Sequence, residues 1–295
     1  MPTAGYYLMP SVYRAVSITI LLVIAMISPA IASDNLSSAE TNTLAPTSPQ
    51  KSQSVQLNKE YFTGYWTDTK NILTAPWRWD SSDWLEASLV MGTAVVLYTQ
   101  DENIKTWVQK NKNSTKDHLS DDAKTLYSLA LPAIVGLGIY GYVAPDDKAR
   151  TTFLLSTESF LLTGAFVQVL KHTTGRHRPY TGDPHDTWSG PTRESDWLSF
   201  PSGDAATAFS IASVVASEYN NMIVPPLVYG ISALIGLERI YNDAHWASDV
   251  FIGSAIGYYT GKAIVASHSS SKEIKVSISP LIDDHGKGVL VTFRF

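Results

Sequence analysis

A chain of 295 residues is long enough for one substantial core and a small appendage. Hydrophobic residues make up 44% and charged ones only 17%, a balance that fits a tightly packed helical protein or one that touches a membrane. A net charge of −5 argues against a nucleic-acid partner held by a general basic field. The absence of cysteine excludes disulfides, thiolate metal sites and cysteine nucleophiles.

In chain order, residues 1–32 read as a signal peptide. Arg14 precedes an uncharged run from Ile18 to Ile27, and Ala30-x-Ala32 offers the small residues of a cleavage site after Ala32. An uncleaved membrane anchor is the alternative. The expectation is an exported protein, in the periplasm or in a membrane and facing the periplasm. Residues 33–58 are rich in Ser, Thr, Asn, Gln and Pro and read as a disordered linker, because such composition buries too little apolar surface to offset chain entropy. From Tyr61 to Trp84 the chain is dense in aromatics, a pattern shared by membrane-interface belts and by a cap packed on a helical core.

Six apolar segments organise residues 59–270, at approximately 83–100, 122–144, 150–173, 203–219, 222–240 and 246–267. Each exceeds strand length and is rich in Ala, Leu and small residues, so an all-α domain is expected. Pro132 and Pro225-Pro226 should kink or start their helices. Thr207, Ser210, Ser213 and Ser217 form a narrow polar seam on the fourth segment, facing a neighbour or a cleft. Spanning a bilayer needs about 20 mainly apolar residues, and Glu158, Gln168 and Lys262 interrupt the segments. These interruptions favour a domain that is soluble or rests on a membrane surface over one that spans it. Residues 271–295 change character. Ile274, Val276 and Ile278 alternate with polar residues before a turn at 283–288, and Val289, Val291, Phe293 and Phe295 alternate after it, which predicts a β-hairpin.

The chemistry concentrates in three stretches at helix ends. Lys171-His172-Thr173-Thr174-Gly175-Arg176-His177-Arg178-Pro179 gathers cations in an acidic protein, as an anion site would; a solvated basic helix end is the plain alternative. Pro201-Ser202-Gly203-Asp204 leads into an Ala-rich helix, whose first N–H groups favour negative charge; an ordinary Ser N-cap would look the same. In Arg239-Ile240-Tyr241-Asn242-Asp243-Ala244-His245-Trp246-Ala247-Ser248-Asp249, a helix starting near His245 would put His245 and Asp249 on one face. A carboxylate there can keep one imidazole nitrogen protonated and leave the other free to attack.

Together, Lys171-x6-Arg178-Pro179, Pro201-Ser202-Gly203 and Arg239-x5-His245-x3-Asp249 resemble the type 2 phosphatidic acid phosphatase and vanadium haloperoxidase superfamily. The resemblance covers about residues 122–267. It implies a six-helix bundle whose three motifs converge on one phosphate, held by Lys171, Arg178, Ser202, Gly203 and Arg239. It also implies that His245 is the nucleophile that becomes phosphohistidine, that Asp249 orients it, and that no metal or other cofactor takes part.

The chain departs from the family pattern at two places. Glu238 replaces a Ser beside Arg239, and Asp204 replaces the His that ends the second motif and protonates the leaving alkoxide. Four outcomes follow: a protonated Asp204 acts as the acid, or His172, His177 or His185 does, or the leaving group needs no acid, or the enzyme is weakened. The leading function is therefore an exported phosphatase acting on a lipid phosphate, lipid diphosphate or small phosphomonoester. A non-catalytic phosphate or phospholipid binder and a vanadate-dependent oxidoreductase are the alternatives. Tyr180, Trp188 and Trp197, between the first two motifs, form either an apolar rim for a lipid tail or the packing of a lid.

Overall fold

The computed structural model describes residue 55, residues 59–269 and the backbone of 275–283 and 286–294. The expected signal peptide, and all of the expected linker except Val55, lie outside the described residues. The described chain is mostly helical. In order come α1 (Lys59–Leu73), α2 (Ser81–Lys110), α3 (Ser114–Val143), α4 (Asp147–Thr174), α5 (Gly203–Glu218), α6 (Val224–Tyr241) and α7 (Ala247–His268). Beyond α7, β1 (Lys275–Asp283) pairs antiparallel with β2 (Gly286–Arg294), Asp283 opposite Gly286.

Two helices run further than their apolar segments suggest, and their caps explain where they begin. Asp80 accepts the N–H groups of Ser82 and Asp83 while Asp83 accepts that of Asp80, a reciprocal box that starts α2. Asn113 accepts the N–H of Lys116 and starts α3. The polar extensions are anchored by tertiary contacts. Asp101 and Ile104 of α2 are buried, and at the start of α3 Asp117 and Ser120 accept hydrogen bonds from Tyr241 and Asn242. Pro225 and Pro226 sit in the first turn of α6, where a missing N–H costs nothing. Pro132 instead lies inside α3, so the carbonyl four residues earlier lacks its helical donor. The aromatic stretch after Asn58 is helical in its first part: Tyr61 of α1 is buried and donates to the Leu154 carbonyl of α4 at 2.8 Å.

At the centre, α5 packs against α4, α6 and α7. Ser210, Ser213 and Ser217 of its hydroxyl seam meet α7, while Thr207 turns towards α3. Thr207, Ser210, Ser213 and Ser217 satisfy themselves on carbonyls of their own helix, so the seam can be buried without orphaned donors. The contact is close because α7 presents Gly253, Gly257 and Gly261 at four-residue spacing. A Cβ on these would stand 2.4 Å from the Ser202 carbonyl oxygen, 2.0 Å from that of Ala206 and 2.6 Å from that of Ser210. Backbone meets backbone along this seam, and it places the start of α5 beside the start of α7.

Candidate active site

The residues of the three motifs meet where the C-terminal ends of α4 and α6 adjoin the N-terminal ends of α5 and α7. Gly175 closes α4 in the left-handed region, φ 61°, and an added Cβ would stand 2.1 Å from the Gly190 carbonyl oxygen. Glycine is therefore required there, and the turn carries the chain from Lys171 around to Arg178. Between α6 and α7 the Arg239 carbonyl accepts the N–H groups of Ala244 and His245, at 3.0 and 3.3 Å. That closed turn, with Asp243 at φ 55°, explains the fixed spacing from Arg239 to His245.

His245 is buried. Its Nδ1 lies 2.7 Å from the Ser199 carbonyl oxygen, which can only accept, so Nδ1 carries the proton and Nε2 carries the lone pair. Burial first, and then the charges of Lys171, Arg178 and Arg239, hold the imidazole pKa well below its ordinary value. The ring is thus neutral, with one nitrogen free, and close enough to three cations to feel their charge.

Asp249 differs from the expectation. Its carboxylate is 4.0 Å from Nδ1 of His245, beyond hydrogen-bonding distance. The reason is that α7 begins at Ala247: Trp246 is extended, and His245 lies outside the helix. Asp249 instead accepts the Trp246 N–H at 3.1 Å, the Ser199 hydroxyl at 2.6 Å and Arg176 at 2.5 Å. It reaches His245 through Ser199, whose carbonyl holds the ring. Arg176 is itself fully buried, bonded also to Asp101 at 2.8 Å, Ser248 at 2.8 Å and the His185 carbonyl. Ser199, Arg176 and Asp101 were missed from sequence. Arg176 and Ser199 lie in or beside the motifs but look like neighbouring polar residues, and Asp101 falls just past the apolar part of α2, with nothing local to mark it.

Among the phosphate candidates, Lys171 donates from Nζ to the Leu198 carbonyl at 2.5 Å. Arg178 is braced by the carbonyls of Ser195, Leu198 and Ala244. Ser202 is buried; its backbone N–H donates to the Asp249 carbonyl, and its hydroxyl caps α5 by accepting from Ala205 at 3.4 Å. A Cβ on Gly203 would make only ordinary contact with Lys171 and Val167, so packing does not demand glycine there. Arg239 is gripped by the buried Glu238, which it contacts at 3.2 Å and which also accepts from Asn242 at 2.6 Å. Glu238 is thereby a positioning residue for Arg239.

Asp204 lies in the same site, and its Oδ2 is 3.1 Å from Nε of Arg239 in an ion pair. The three alternative acids are engaged elsewhere. His177 has both ring nitrogens bonded, to Asp183 and Ser189, and stacks on Trp197. His185 packs against Tyr98 and Trp246, and the exposed His172 is tied to the Thr192 carbonyl. Of the three aromatic residues between the motifs, Trp197 thus packs on His177, while Trp188 lies over Arg176 and against Phe200. Tyr180 is half exposed and donates to Asp196. A cavity of about 130 Å³ opens between α3, α4 and α5, lined by Tyr127, Leu131, Phe160, Thr207, Ala208 and Ile211 among others. The Tyr127 hydroxyl is within reach of both Asp204 and Thr207, so this cavity borders the site.

The chain is 26% identical over 175 residues to "Lipid A 1-phosphatase" of Porphyromonas gingivalis, covering 59% of this chain and 36% of that protein. It is 28% identical over 151 residues to a "PA-phosphatase related-family protein" of Dictyostelium discoideum, covering 46% of this chain and 55% of that one. The chain therefore spans between about a third and just over half the length of these relatives. The crystal structure of Aquifex aeolicus LpxE is similar with a TM-score of 0.45 at 24% identity, covering 56% of this chain and 94% of that one. A transmembrane PAP2-type phosphatidylglycerolphosphate phosphatase from Bacillus subtilis gives 0.42 at 16%, covering 73% and 98%. The model of the PAP2 superfamily matches residues 153–273, a stretch holding every phosphate and catalytic candidate named above, so this part of the chain is similar to that superfamily.

Proposed function

We propose that the protein is an exported, membrane-embedded phosphatase that takes the phosphate of a lipid phosphate or lipid diphosphate through a phosphohistidine on His245. The observation that carries this reading is the tautomer of His245: Nδ1–H is held by the Ser199 carbonyl, and Nε2 is left free among Lys171, Arg178 and Arg239. In the first step the Nε2 lone pair forms a bond to phosphorus and the bond to the leaving oxygen breaks. The three cations and the first N–H groups of α5 stabilise charge on the equatorial oxygens. In the second step a water oxygen displaces Nε2, its proton passes to solvent or a nearby base, and inorganic phosphate leaves. Splitting the transfer in this way replaces one difficult displacement with two easier ones.

A lipid substrate is supported by the apolar cavity beside Asp204 and by the outward faces of α2 and α3. On those faces Leu85, Leu89, Met91, Val95, Val96, Leu129, Val135 and Ile139 are exposed. Helices α3 and α4 are also long and apolar enough to cross a membrane. These faces favour the embedded alternative over the soluble or surface-resting domain expected from the polar interruptions. The test is phosphate release by purified protein from lipid phosphates, an isoprenyl diphosphate and a soluble aryl phosphate. Turnover that His245→Ala abolishes, with phosphate or vanadate still bound, supports the reading; near-wild-type activity in that variant rejects it. A second reading, a phosphate binder without turnover, is favoured by one observation: Asp204 already occupies Arg239. Tight phosphate binding with no release from any of the three substrates would establish it.

A further inference from the structure

Away from the phosphate site, three helices bring together side chains that the proposed chemistry does not use. Asp68 of α1, Glu158 of α4 and His268 of α7 each offer one ligand atom within 4.8 Å of the others. Glu158 precedes Lys171 by 13 residues on α4, about 20 Å along the helix at 1.5 Å per residue, so the two sites are separate. Glu158 is 0% exposed, and neither of its carboxylate oxygens has a hydrogen-bond partner. A buried carboxylate left without donors is costly unless a cation or a proton occupies the space it faces.

The imidazole is already arranged as a ligand. Nδ1 of His268 lies 3.1 Å from the Ile264 carbonyl oxygen, which fixes the proton on Nδ1 and leaves the Nε2 lone pair 3.7 Å from Oε2 of Glu158. A backbone carbonyl on one ring nitrogen and a metal on the other is the usual outer-shell pattern of a ligating histidine. Asp68 supplies the second carboxylate, its Oδ2 3.9 Å from Nδ1 of the same ring and within 4.8 Å of the other ligand atoms. The separations exceed the roughly 3.3 Å between ligands of a filled tetrahedral site, so binding would draw the three groups together by small side-chain movements. The Asp68 and His268 side chains are 7% and 17% exposed, so the cluster is not wholly sealed from solvent.

We propose that Asp68, Glu158 and His268 bind one divalent transition-metal ion, of which zinc is the best match to a nitrogen and two carboxylates. The ion would staple α1 to α4 and α7, adding to the Tyr61–Leu154 hydrogen bond and the contact of Ile72 with the Leu155–Ile264 cluster. Its role is structural, because it touches none of the residues around His245.

The experiment uses the full-length protein, stripped with chelator and reloaded with zinc, with metal content and thermal unfolding as readouts. About one zinc per chain should be retained, and the unfolding temperature should rise by ~5–10 °C at zinc a hundredfold above its Kd. Glu158→Gln and His268→Gln should each lose both effects, while His245→Ala keeps them. Should Glu158→Gln fail to fold, His268→Gln and Asp68→Asn carry the test, since neither side chain is fully buried. His268→Gln should leave phosphate release unchanged well below its unfolding temperature, which separates this site from the phosphatase reading. The proposal is overturned if zinc neither binds stoichiometrically nor raises the unfolding temperature. It is equally overturned if Glu158→Gln stabilises the chelated protein and zinc still binds, which would mean that a shared proton had filled the space.

Discussion

At the scale of single residues, Asp204 decides how this site can work. An ionised carboxylate 3.1 Å from Arg239 offsets the cation that should meet phosphate and cannot donate a proton to a departing alkoxide. Substrates whose leaving group is stable without protonation should therefore react best. Asp204→His should extend alkyl phosphate hydrolysis towards neutral pH, because imidazole titrates near 6.5. Asp204→Asn separates the possibilities: if Asp204 is the acid, alkyl phosphates should lose far more rate than aryl phosphates, and an unchanged alkyl-to-aryl ratio would exclude that role. His245 gives a pH prediction of definite sign. Its pKa is lowered, so the neutral form persists further into acid than in an ordinary histidine. A nitrogen-shift NMR titration of the substrate-free protein should show His245 protonating only well below about 6.5. A midpoint at or above that value would mean that burial and the three cations do not act on the ring as the geometry requires. Arg176 is the third residue of consequence, because its guanidinium pairs with both the buried Asp101 and the buried Asp249. Arg176→Met would leave two buried carboxylates without their cation and should cost about 3–5 kcal/mol, measured by denaturant unfolding. A loss under about 1 kcal/mol would show that the pair protonates or rehydrates cheaply.

At the scale of elements, the sequence showed the helices better than it showed their joints. Apolar runs located all six core helices because each buries at least one face, but they stopped near residue 100 in α2 and started near 122 in α3. The missing turns are polar outside and held by distant partners such as Asp117 to Tyr241, and no local pattern encodes a partner 124 residues away. The site motifs were legible because the family resemblance rests on particular side chains at fixed spacing. The Asp249–Ser199–His245 relay was not, because Ser199 acts partly through its carbonyl, which every residue possesses. The glycine ridge of α7 also went unread, since its meaning depends on the approach of α5. It supports a direct test. Gly257→Ala would place a methyl 2.0 Å from the Ala206 carbonyl oxygen and should destabilise the protein by about 1–3 kcal/mol. Gly92→Ala, on an open face of α2 with nothing within 4 Å, should instead stabilise by about 0.5–1 kcal/mol through helix propensity. Equal effects at the two positions would mean that α5 and α7 are not in backbone contact.

At the scale of the whole molecule, the question is what solvates the outside of the bundle. Glu158, Gln168 and Lys262 argued from sequence against spanning helices; Gln168 is indeed exposed, but position in the fold changes the weight of the other two. Glu158 is fully buried, and Lys262 turns inward to the Ser217 hydroxyl at 3.2 Å. Neither would face lipid. What the outer surface of α3 does present is Leu129, Leu131, Val135, Ile139 and Val143, all exposed. In water such a stripe would be an unusually large apolar patch for a monomer; in a bilayer it would be ordinary. Phosphate groups would then be engaged at one end of the bundle, where α4 and α6 finish and α5 and α7 begin, with the lipid chains running back along the helices. The two environments give opposite expectations for one substitution. If Ile139 faces water, Ile139→Lys is a surface change and should alter stability by no more than about 0.5 kcal/mol. If it faces the hydrocarbon core, the lysine should cost ~2.5–3.5 kcal/mol. The protein would then accumulate poorly in membranes, while the wild type stays there through high salt and alkaline carbonate. Release of the wild type by carbonate, together with a tolerated Ile139→Lys, would return the bundle to the membrane surface or to solution, and the apolar stripe would then need a protein partner.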